Sequence, residues 1–234
     1  MLAPPVSKSI GSPAMDEDHT LSESAAEAAH LAAVLAHIDR PIVLVGMMGV
    51  GKTSLGRRLA ALLGVPFVDA DDEIEKAAHM PIPDIFATYG EAFFREGERR
   101  VIARLLGENT PGDAIKGLKL PHAGNGKAGL KVLSTGGGAF VNDATRELIL
   151  ARGIAVWLDA ELETLVDRTA RKGNRPLLKN GNPREILSNL KSSREPFYSQ
   201  APIKVMSGNV PHSRTLASLM VSLDEWLDAH GAKG

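Results

Sequence analysis

The chain has 234 residues, of which 44% are hydrophobic and 24% charged, the ordinary composition of a soluble globular protein. Its net charge of −1 gives no general attraction to nucleic acid or to an acidic membrane surface, and no apolar run approaches the roughly 18 residues that a membrane span requires. The absence of cysteine excludes disulfides, thiol nucleophiles and cysteine-based zinc sites and favours a cytoplasmic location, and the first residues lack the apolar segment of a secretory signal.

The first 40 residues are predicted to be an extension of the main domain. Residues 1–20 are rich in proline and serine and contain an acidic run at 16–18, a composition typical of a disordered tail. From about residue 21 to 39 the sequence is rich in alanine, and four apolar residues recur on one helical face: Leu31, Val34, Leu35 and Ile38. We expect a short helix that docks on the domain, with binding of a partner as the alternative.

Residues 41–230 are predicted to form one domain in which strands alternate with helices. Apolar, β-branched runs predict five buried strands, at 42–45, 66–69, 131–134, 154–158 and 203–206. Helical patterns occupy 52–63, a stretch from 73, 91–106 and about 214–229. This alternation predicts an α/β fold, in which a five-stranded parallel sheet is covered on both faces by helices and the crossovers are right-handed.

Residues 107–129 interrupt this alternation. They hold six glycines and two prolines with scattered lysines, and they show no periodicity. A structureless loop of this length is unusual inside a compact domain. We expect a mobile surface insertion without chemistry of its own.

The most specific motif follows the first predicted strand and leads directly into a helix. Eight residues match the phosphate-binding pattern G-x-x-x-x-G-K-[ST] of a P-loop: Gly46, Met47, Met48, Gly49, Val50, Gly51, Lys52 and Thr53. Ser54 follows the motif in the helix and is also a candidate for ATP binding. Glycines let successive backbone N–H groups point at a phosphate, and the helix N-terminus adds its positive end. Lys52 is expected to reach the β- and γ-phosphates of ATP, and the Thr53 hydroxyl to join a Mg²⁺ shell.

A P-loop indicates a nucleotide but not a reaction. GTPases need a base-reading N-K-x-D motif, and no asparagine of this chain is followed by lysine. An ATPase motor needs a longer chain. The remaining class is chiefly the small kinases that pass a γ-phosphoryl group to a bound metabolite.

Two acidic residues come at the end of the second predicted strand. Side chains alternate along a strand, so Asp69 and Asp71 are expected to point to the same side. This edge of the sheet, near the P-loop, is where open α/β sheets bind ligands, and two carboxylates there suit a metal and a hydroxyl acceptor. Asp72 and Glu75 have the spacing of a helix N-cap signature, which makes Asp72 a candidate cap.

The order of the motifs resembles that of the shikimate kinases. The matching elements run from about residue 41 to the last helix: Phe67-x-Asp69-x-Asp71-x-x-Ile74-Glu75, Ile85-Phe86-x-x-x-Gly90-Glu91-x-x-Phe94-Arg95-x-x-Glu98, Ser134-Thr135-Gly136-Gly137-Gly138-Ala139, Arg175-Pro176-Leu177-Leu178 and Arg194-Glu195-Pro196-Phe197-Tyr198. The family is normally much shorter at 107–129, and the first forty residues also depart from it. Neither departure touches a matched residue.

On the nucleotide side, the resemblance implies three roles. Asp69 supports the Mg²⁺ site, and Arg168 lies beside the adenine. Arg175 belongs to a flexible lid at about residues 170–183 and closes over the ATP phosphates, where it stabilises the transferring charge and helps to exclude water.

On the acceptor side, the resemblance implies that Asp71 hydrogen-bonds the shikimate hydroxyls and that the Gly137 N–H contacts shikimate. Arg95 and Arg194 bind the shikimate carboxylate, for which a planar guanidinium is better suited than lysine. Glu98, three residues after Arg95, is expected to steady the Arg95 guanidinium from the same helical face.

The resemblance therefore implies a P-loop NTPase of the nucleoside-monophosphate-kinase-like fold that moves the ATP γ-phosphoryl group to the 3-hydroxyl of shikimate, in the chorismate and aromatic amino acid pathway. Lys52, Asp71 and Arg175 are the expected catalytic residues and Mg²⁺ the expected cofactor. A cytoplasmic monomer with no nucleic-acid or membrane partner is expected.

Two alternatives remain open at this point. A gluconate-type kinase shares the P-loop and the lid but does not require Arg95, Arg194 and the triple glycine together. A regulator that binds ATP without turnover has no need of an acceptor pocket. A coupled ADP-release assay with and without shikimate separates all three.

Overall fold

The computed structural model describes residues 32–107, 129–171, 181–208 and 210–230. The predicted tail at 1–20, nearly all of the predicted insertion and most of the predicted lid, including Arg175, lie outside the described residues. The chain divides into two units, residues 1–37 and 38–234. Of the first unit the structure describes 32–37, which are helical and are called α1.

The second unit contains a five-stranded, all-parallel sheet of order β2-β3-β1-β4-β5. The strands are β1 (Ile42–Val45), β2 (Phe67–Asp69), β3 (Val132–Ser134), β4 (Ile154–Asp159) and β5 (Ile203–Met206). β1 lies at the centre, where Val43 is opposite both Leu133 and Ala155. Every residue of β1 and β4 is buried, which explains why their sequences are apolar without alternation.

The described part of this unit contains seven α-helices, of which the first six lie between strands and the last follows β5: α2 (Lys52–Leu63), α3 (Ala70–Ala78), α4 (Ile82–Leu105), α5 (Asp143–Arg152), α6 (Leu162–Ala170), α7 (Pro183–Tyr198) and α8 (His212–His230). Helix α2 packs on β1, β2 and β3 and contacts α8, which also packs on β5. Helix α5 packs on β4 and contacts α4. The predicted three-layer α/β/α arrangement is confirmed. In the described parts of the chain no helix is long and apolar enough to cross a membrane.

Helix α4 differs from its prediction at its N-terminal half. The sequence pattern predicts a helix at 91–106, whereas α4 runs from Ile82 to Leu105 and is interrupted at Gly90, with φ 80° and ψ 176°. This backbone conformation is strained for residues with a side chain, so glycine permits the sharp break. Because of the break, Ile85 before it and Phe94 after it both join one buried cluster with Ile74 of α3.

All five strands end at one edge of the sheet. The P-loop follows β1, the acidic residues follow β2, the glycine run follows β3, and Asp159 ends β4. Parallel strands bring these chain-distant segments side by side, because each crossover returns the chain to the opposite edge. The P-loop, the acidic residues and the glycine run therefore lie together at the carboxyl edge of the sheet.

Candidate active site

The P-loop curls tightly between β1 and α2. Gly46, Gly49 and Gly51 have φ values of 133°, 81° and 102°, in the region that side chains rarely adopt. A methyl group on Gly46 would also lie 2.2 Å from the Leu158 carbonyl oxygen. The buried Lys52 amine donates to the carbonyls of Gly46, at 2.8 Å, and Met47, at 3.0 Å, so it lies inside the curve of the loop.

Thr53, at the start of α2, and Asp69, at the end of β2, are hydrogen-bonded to each other. The Thr53 hydroxyl donates to Asp69 Oδ2 at 2.9 Å, while Asp69 Oδ1 accepts from the Asp71 N–H at 3.1 Å. Asp69 is therefore the N-cap of α3, and the suggestion that Asp72 caps this helix is wrong. Helix α3 begins earlier than predicted because the strand ends in its own capping residue.

Asp71 reaches the site for a different reason from the predicted one. It lies in the first turn of α3 rather than in the strand, so strand alternation does not set its direction. It nevertheless lines the same cleft as Asp69, a cavity of about 370 Å³ along the P-loop. The pKa of Asp71 is raised to about 6, first by burial and then by the charges of Asp69 and Glu98, while the charge of Lys52 acts in the opposite direction.

Arg95 and Glu98 form an ion pair on α4, as predicted. Arg95 Nη1 donates to Glu98 Oε2 at 2.7 Å, and the same guanidinium donates to Glu91 Oε1 at 3.2 Å. Glu98 is only 1% exposed, and its other oxygen, Oε1, is buried with no hydrogen-bond partner in the described structure. Burial raises the pKa of Glu98 above its ordinary value, although the Arg95 hydrogen bond opposes this.

The glycine run after β3 separates these groups from α7. A methyl group on Gly136 would lie 2.9 Å from both Asp71 Oδ1 and Glu98 Oε1, and one on Gly138 would lie 2.5 Å from Arg95 Nη2. At Gly137 the nearest side-chain atom is Arg194 Nη1, at 3.3 Å from that position. The run therefore has to be side-chain-free for its neighbours to approach.

Arg194 and Tyr198 attach α7 to the glycine run. Arg194 Nη1 donates to the Gly137 carbonyl at 3.1 Å, and the buried Tyr198 hydroxyl donates to the same oxygen. Burial raises the pKa of Tyr198, so it stays a donor at neutral pH. Arg95 and Arg194, 99 positions apart in the chain, thus lie against adjacent glycines of one loop.

Arg168, on α6, lines the cleft and is held by hydrogen bonds. Its guanidinium donates to the Val50 carbonyl and the Ser207 hydroxyl, both at 3.0 Å, and to the Gly208 carbonyl at 2.6 Å. Ser207 in turn donates to Val50 at 2.8 Å. Arg168 was predicted from the resemblance, but Ser207 was not, because a serine after an edge strand belongs to no matched motif.

A comparison with protein-family models matches residues 48–115 and 125–223 to the model described as shikimate kinase. The chain belongs to the shikimate kinase family. The two matched segments together include every proposed site residue of the chain except Gly46 and Met47, which precede the first of them.

Individual members of the shikimate kinase family give the same result. The chain is 63% identical over 190 residues to "Shikimate kinase" of Novosphingobium aromaticivorans, covering 81% of this chain and 90% of that one. It is 44% identical to "Shikimate kinase" of Rhodopseudomonas palustris, covering 82% and 84%. Among solved structures, shikimate kinase from Acinetobacter baumannii in complex with shikimate has a TM-score of 0.66 at 36% identity, covering 83% of this chain and 96% of that one.

Most of the residues predicted for a shikimate kinase site meet around one cleft, which is lined by P-loop residues, Asp69, Asp71, Gly137 and Arg168. Arg95 and Arg194 adjoin it through the glycine run. Five further residues line the cleft without having been predicted as site residues: Ser134, Thr135, Gly136, Arg171 and His212. The first three belong to the matched element that contains the glycine run, whereas no matched motif includes Arg171 or His212.

Proposed function

We propose that the chain transfers the γ-phosphoryl group of ATP to the 3-hydroxyl of shikimate, giving ADP and shikimate 3-phosphate. The observation that carries this proposal is the approach of Arg95 and Arg194 to adjacent glycines beside a P-loop cleft. Two guanidinium groups at one place suit bidentate recognition of a carboxylate. Asp71 lies against the neighbouring Gly136 of the same run, which supports one pocket for the carboxylate and the hydroxyl group of a single small ligand.

The nucleotide half is assigned to the P-loop from Gly46 to Ser54. Backbone N–H groups of the loop and the start of α2 bind the phosphates, and Lys52 neutralises charge on the transferring group. Arg168, whose guanidinium donates to three acceptors and lines the cleft, is assigned to the adenine. Arg175, outside the described residues, is assigned to the transferring phosphate.

Thr53 and Asp69 fit a Mg²⁺ ion. Both offer oxygen donors, they lie 2.9 Å apart, and they stand beside the phosphate loop. Mg²⁺ keeps several waters and uses one or two protein oxygens together with phosphate oxygens, so it needs no larger protein cage. In keeping with that, the described residues contain no cluster of three or more His, Cys, Asp or Glu side chains suited to a metal. When bound, the ion would neutralise phosphate charge.

On the acceptor side, Asp71 is assigned to orient the shikimate 3-hydroxyl and to accept its proton. Its raised pKa makes the Asp71 carboxylate a stronger base than a solvated aspartate, yet leaves it ionised at neutral pH. The remaining rate enhancement comes from positioning and from charge neutralisation by Lys52 and Arg175.

We further propose that the enzyme acts as a cytoplasmic monomer. The lack of cysteine suits a reducing compartment.

The test of the proposed function is to replace Arg95 and Arg194 separately with alanine. Each variant is titrated with shikimate and with a non-hydrolysable ATP analogue. We expect shikimate affinity to fall by about 10- to 100-fold, since a charge-assisted hydrogen bond contributes roughly 1.5–3 kcal/mol, and ATP-analogue affinity to change by less than about threefold. Lysine at either position should recover only part of the loss.

Arg184 supplies the matched control for these variants. It also lies on α7, but its ion pair with Glu163 is exposed, so Arg184→Ala should leave both affinities unchanged. Equal weakening of both ligands, or of neither, in the Arg95 and Arg194 variants would exclude the carboxylate clamp and leave a P-loop kinase of another acceptor.

The pH dependence provides a second prediction. Because the pKa of Asp71 is raised to about 6, the carboxylate is lost as the pH falls through that value. We expect kcat/KM for shikimate, which reports groups of the free enzyme, to decline about tenfold per pH unit below pH 6. Binding of the ATP analogue should not share this acid limb. A profile that stays flat down to pH 5 would contradict the role of Asp71.

A further inference from the structure

One face of α7 carries contacts to both the sheet and the substrate side. Leu187, Lys191, Arg194 and Tyr198 are spaced by four, three and four residues, so they share one side of the helix. Leu187 and Tyr198 are fully buried on this side. The position of this face therefore determines where the Arg194 guanidinium stands.

Lys191 attaches this face to the end of β4. Its amine donates to the carboxylate of Asp159 and, at 2.8 Å, to the Ala160 carbonyl. Asp159 is 7% exposed and also accepts from the Ala160 N–H at 2.8 Å. A second lysine, Lys204 of β5, lies 3.1 Å from the other Asp159 oxygen.

The Asp159 carboxylate is kept ionised by these two lysines. Burial raises the pKa of Asp159, but the hydrogen bonds from Lys191 and Lys204 outweigh it and leave the pKa below its ordinary value. A partly buried ion pair contributes little net stability but constrains the geometry of its members, because displacing Lys191 would weaken the pairing of the buried Asp159 carboxylate. The pair therefore opposes displacement of α7 from β4.

A second attachment lies seven residues further along α7. Trp157 is two residues before Asp159 on β4, so both side chains point to the same face of the sheet. The Trp157 and Tyr198 rings stack with centroids 6.0 Å apart. Two attachments, at Lys191 and at Tyr198, fix both the rotation and the sliding of α7, and Arg194 lies between them.

We infer that the Lys191–Asp159 pair positions Arg194 for the shikimate carboxylate. Lys191 is a positioning residue, since it contacts Asp159 and Ala160 on the sheet and acts through Arg194. The inference rests on the proposed function of Arg194. It predicts that Lys191 affects shikimate recognition although its amine is bound to the end of β4.

The test compares Lys191→Met with Lys204→Met in the full chain. Both variants remove one lysine from the same carboxylate, but Lys204 lies on β5, which carries no shikimate-binding side chain. We expect Lys191→Met to raise KM for shikimate at least about fivefold, because a 1 Å misplacement of a positioned group can cost up to ~100-fold. KM for ATP should stay within about twofold of wild type. Lys204→Met should change both by less than about twofold. Lys191→Arg, which keeps the charge, should restore most of the loss.

Repeating Lys191→Met in an Arg194→Ala background distinguishes the inference from the proposed function. If Lys191 acts through Arg194, the second substitution adds no further rise in KM for shikimate, whereas a general structural effect adds in full. Parallel changes in both KM values, or full additivity, would overturn the inference. If Arg194→Ala alone leaves KM for shikimate unchanged, the proposed function fails instead. Should Lys191→Met not fold, Lys191→Gln carries the same expectations.

Discussion

Replacing Lys52 with methionine is expected to lower kcat by about 10³-fold, or ~4 kcal/mol, while the chain still folds. The amine lies inside the P-loop and is assigned to the transferring phosphoryl group, so its charge is most valuable when negative charge develops there. Methionine has a similar length and keeps the apolar contacts of the stem. The lost hydrogen bonds to Gly46 and Met47 should reduce the free energy of unfolding by roughly 1–3 kcal/mol.

Lys131 provides a matched control for Lys52. It is also partly buried and donates to a backbone carbonyl, that of Leu105 at 2.9 Å, but it precedes β3 and so lies at the opposite edge of the sheet. Lys131→Met should reduce stability by a similar amount and leave kcat within about twofold. Activity of Lys52→Met within about tenfold of wild type, under ~1.4 kcal/mol, would show that Lys52 has no catalytic role.

Lys52→Met should also change the pH dependence of kcat/KM for shikimate. Lys52 is the group that lowers the pKa of Asp71 against burial and the neighbouring carboxylates. Without its charge the acid limb of kcat/KM for shikimate should move above pH 6. A limb that stays in place would mean that the Lys52 charge does not act on Asp71.

Replacing Asp71 with asparagine is expected to lower kcat by about 10²- to 10⁴-fold and at the same time to stabilise the fold. The pKa of Asp71 is about 6 in the folded chain against the ordinary 3.8, so the folded state disfavours the charged form. At pH 8 that difference costs up to about 3 kcal/mol, which the neutral amide avoids. The gain should shrink as the pH falls below 6 and vanish below about 3.8.

Urea unfolding at pH 8 and at pH 4, beside steady-state kinetics, measures both effects. Asp72→Asn is the control, because it removes the same charge from the chain at an exposed position in the same turn of α3. It should change kcat and stability little. If Asp71→Asn is no more stable than Asp72→Asn at pH 8, the charged Asp71 does not destabilise the folded state. If Asp71→Asn keeps a kcat within tenfold of wild type, Asp71 does not orient the acceptor hydroxyl.

The sequence predicted the P-loop and its surroundings closely because each feature there has a local cause. Helix α2 begins and ends at the predicted residues, since the glycines before Lys52 and Gly64 after Leu63 are local signals. The ion pair of Arg95 with Glu98 was likewise predicted from helical spacing alone, and the structure confirms it.

The errors arise where tertiary contacts decide. Asp69 caps α3 although Asp72 has the better N-cap spacing, because the strand holds Asp69 in the extended conformation that a cap requires. The first half of α4 was not predicted; its start is supported by the Glu75 side chain, which accepts from the Ile82 N–H at 2.8 Å, a contact between residues seven positions apart. The Lys191–Asp159 pair joins residues 32 positions apart, and no periodicity reports such a contact.

The backbones of the glycine run and the P-loop lie directly against each other. A methyl group on Gly137 would lie 3.4 Å from the Met48 nitrogen and 3.6 Å from the Gly46 oxygen, so the two loops face each other backbone to backbone. In the proposed function, the Gly137 backbone lies between the region that binds the ATP phosphates and the region that binds shikimate. In-line transfer requires the attacking and receiving atoms to approach to about 3–3.5 Å, and a side chain at position 137 would hold the two ligands apart even if each were bound tightly. The lack of a side chain at Gly137 therefore allows the two reacting atoms to meet.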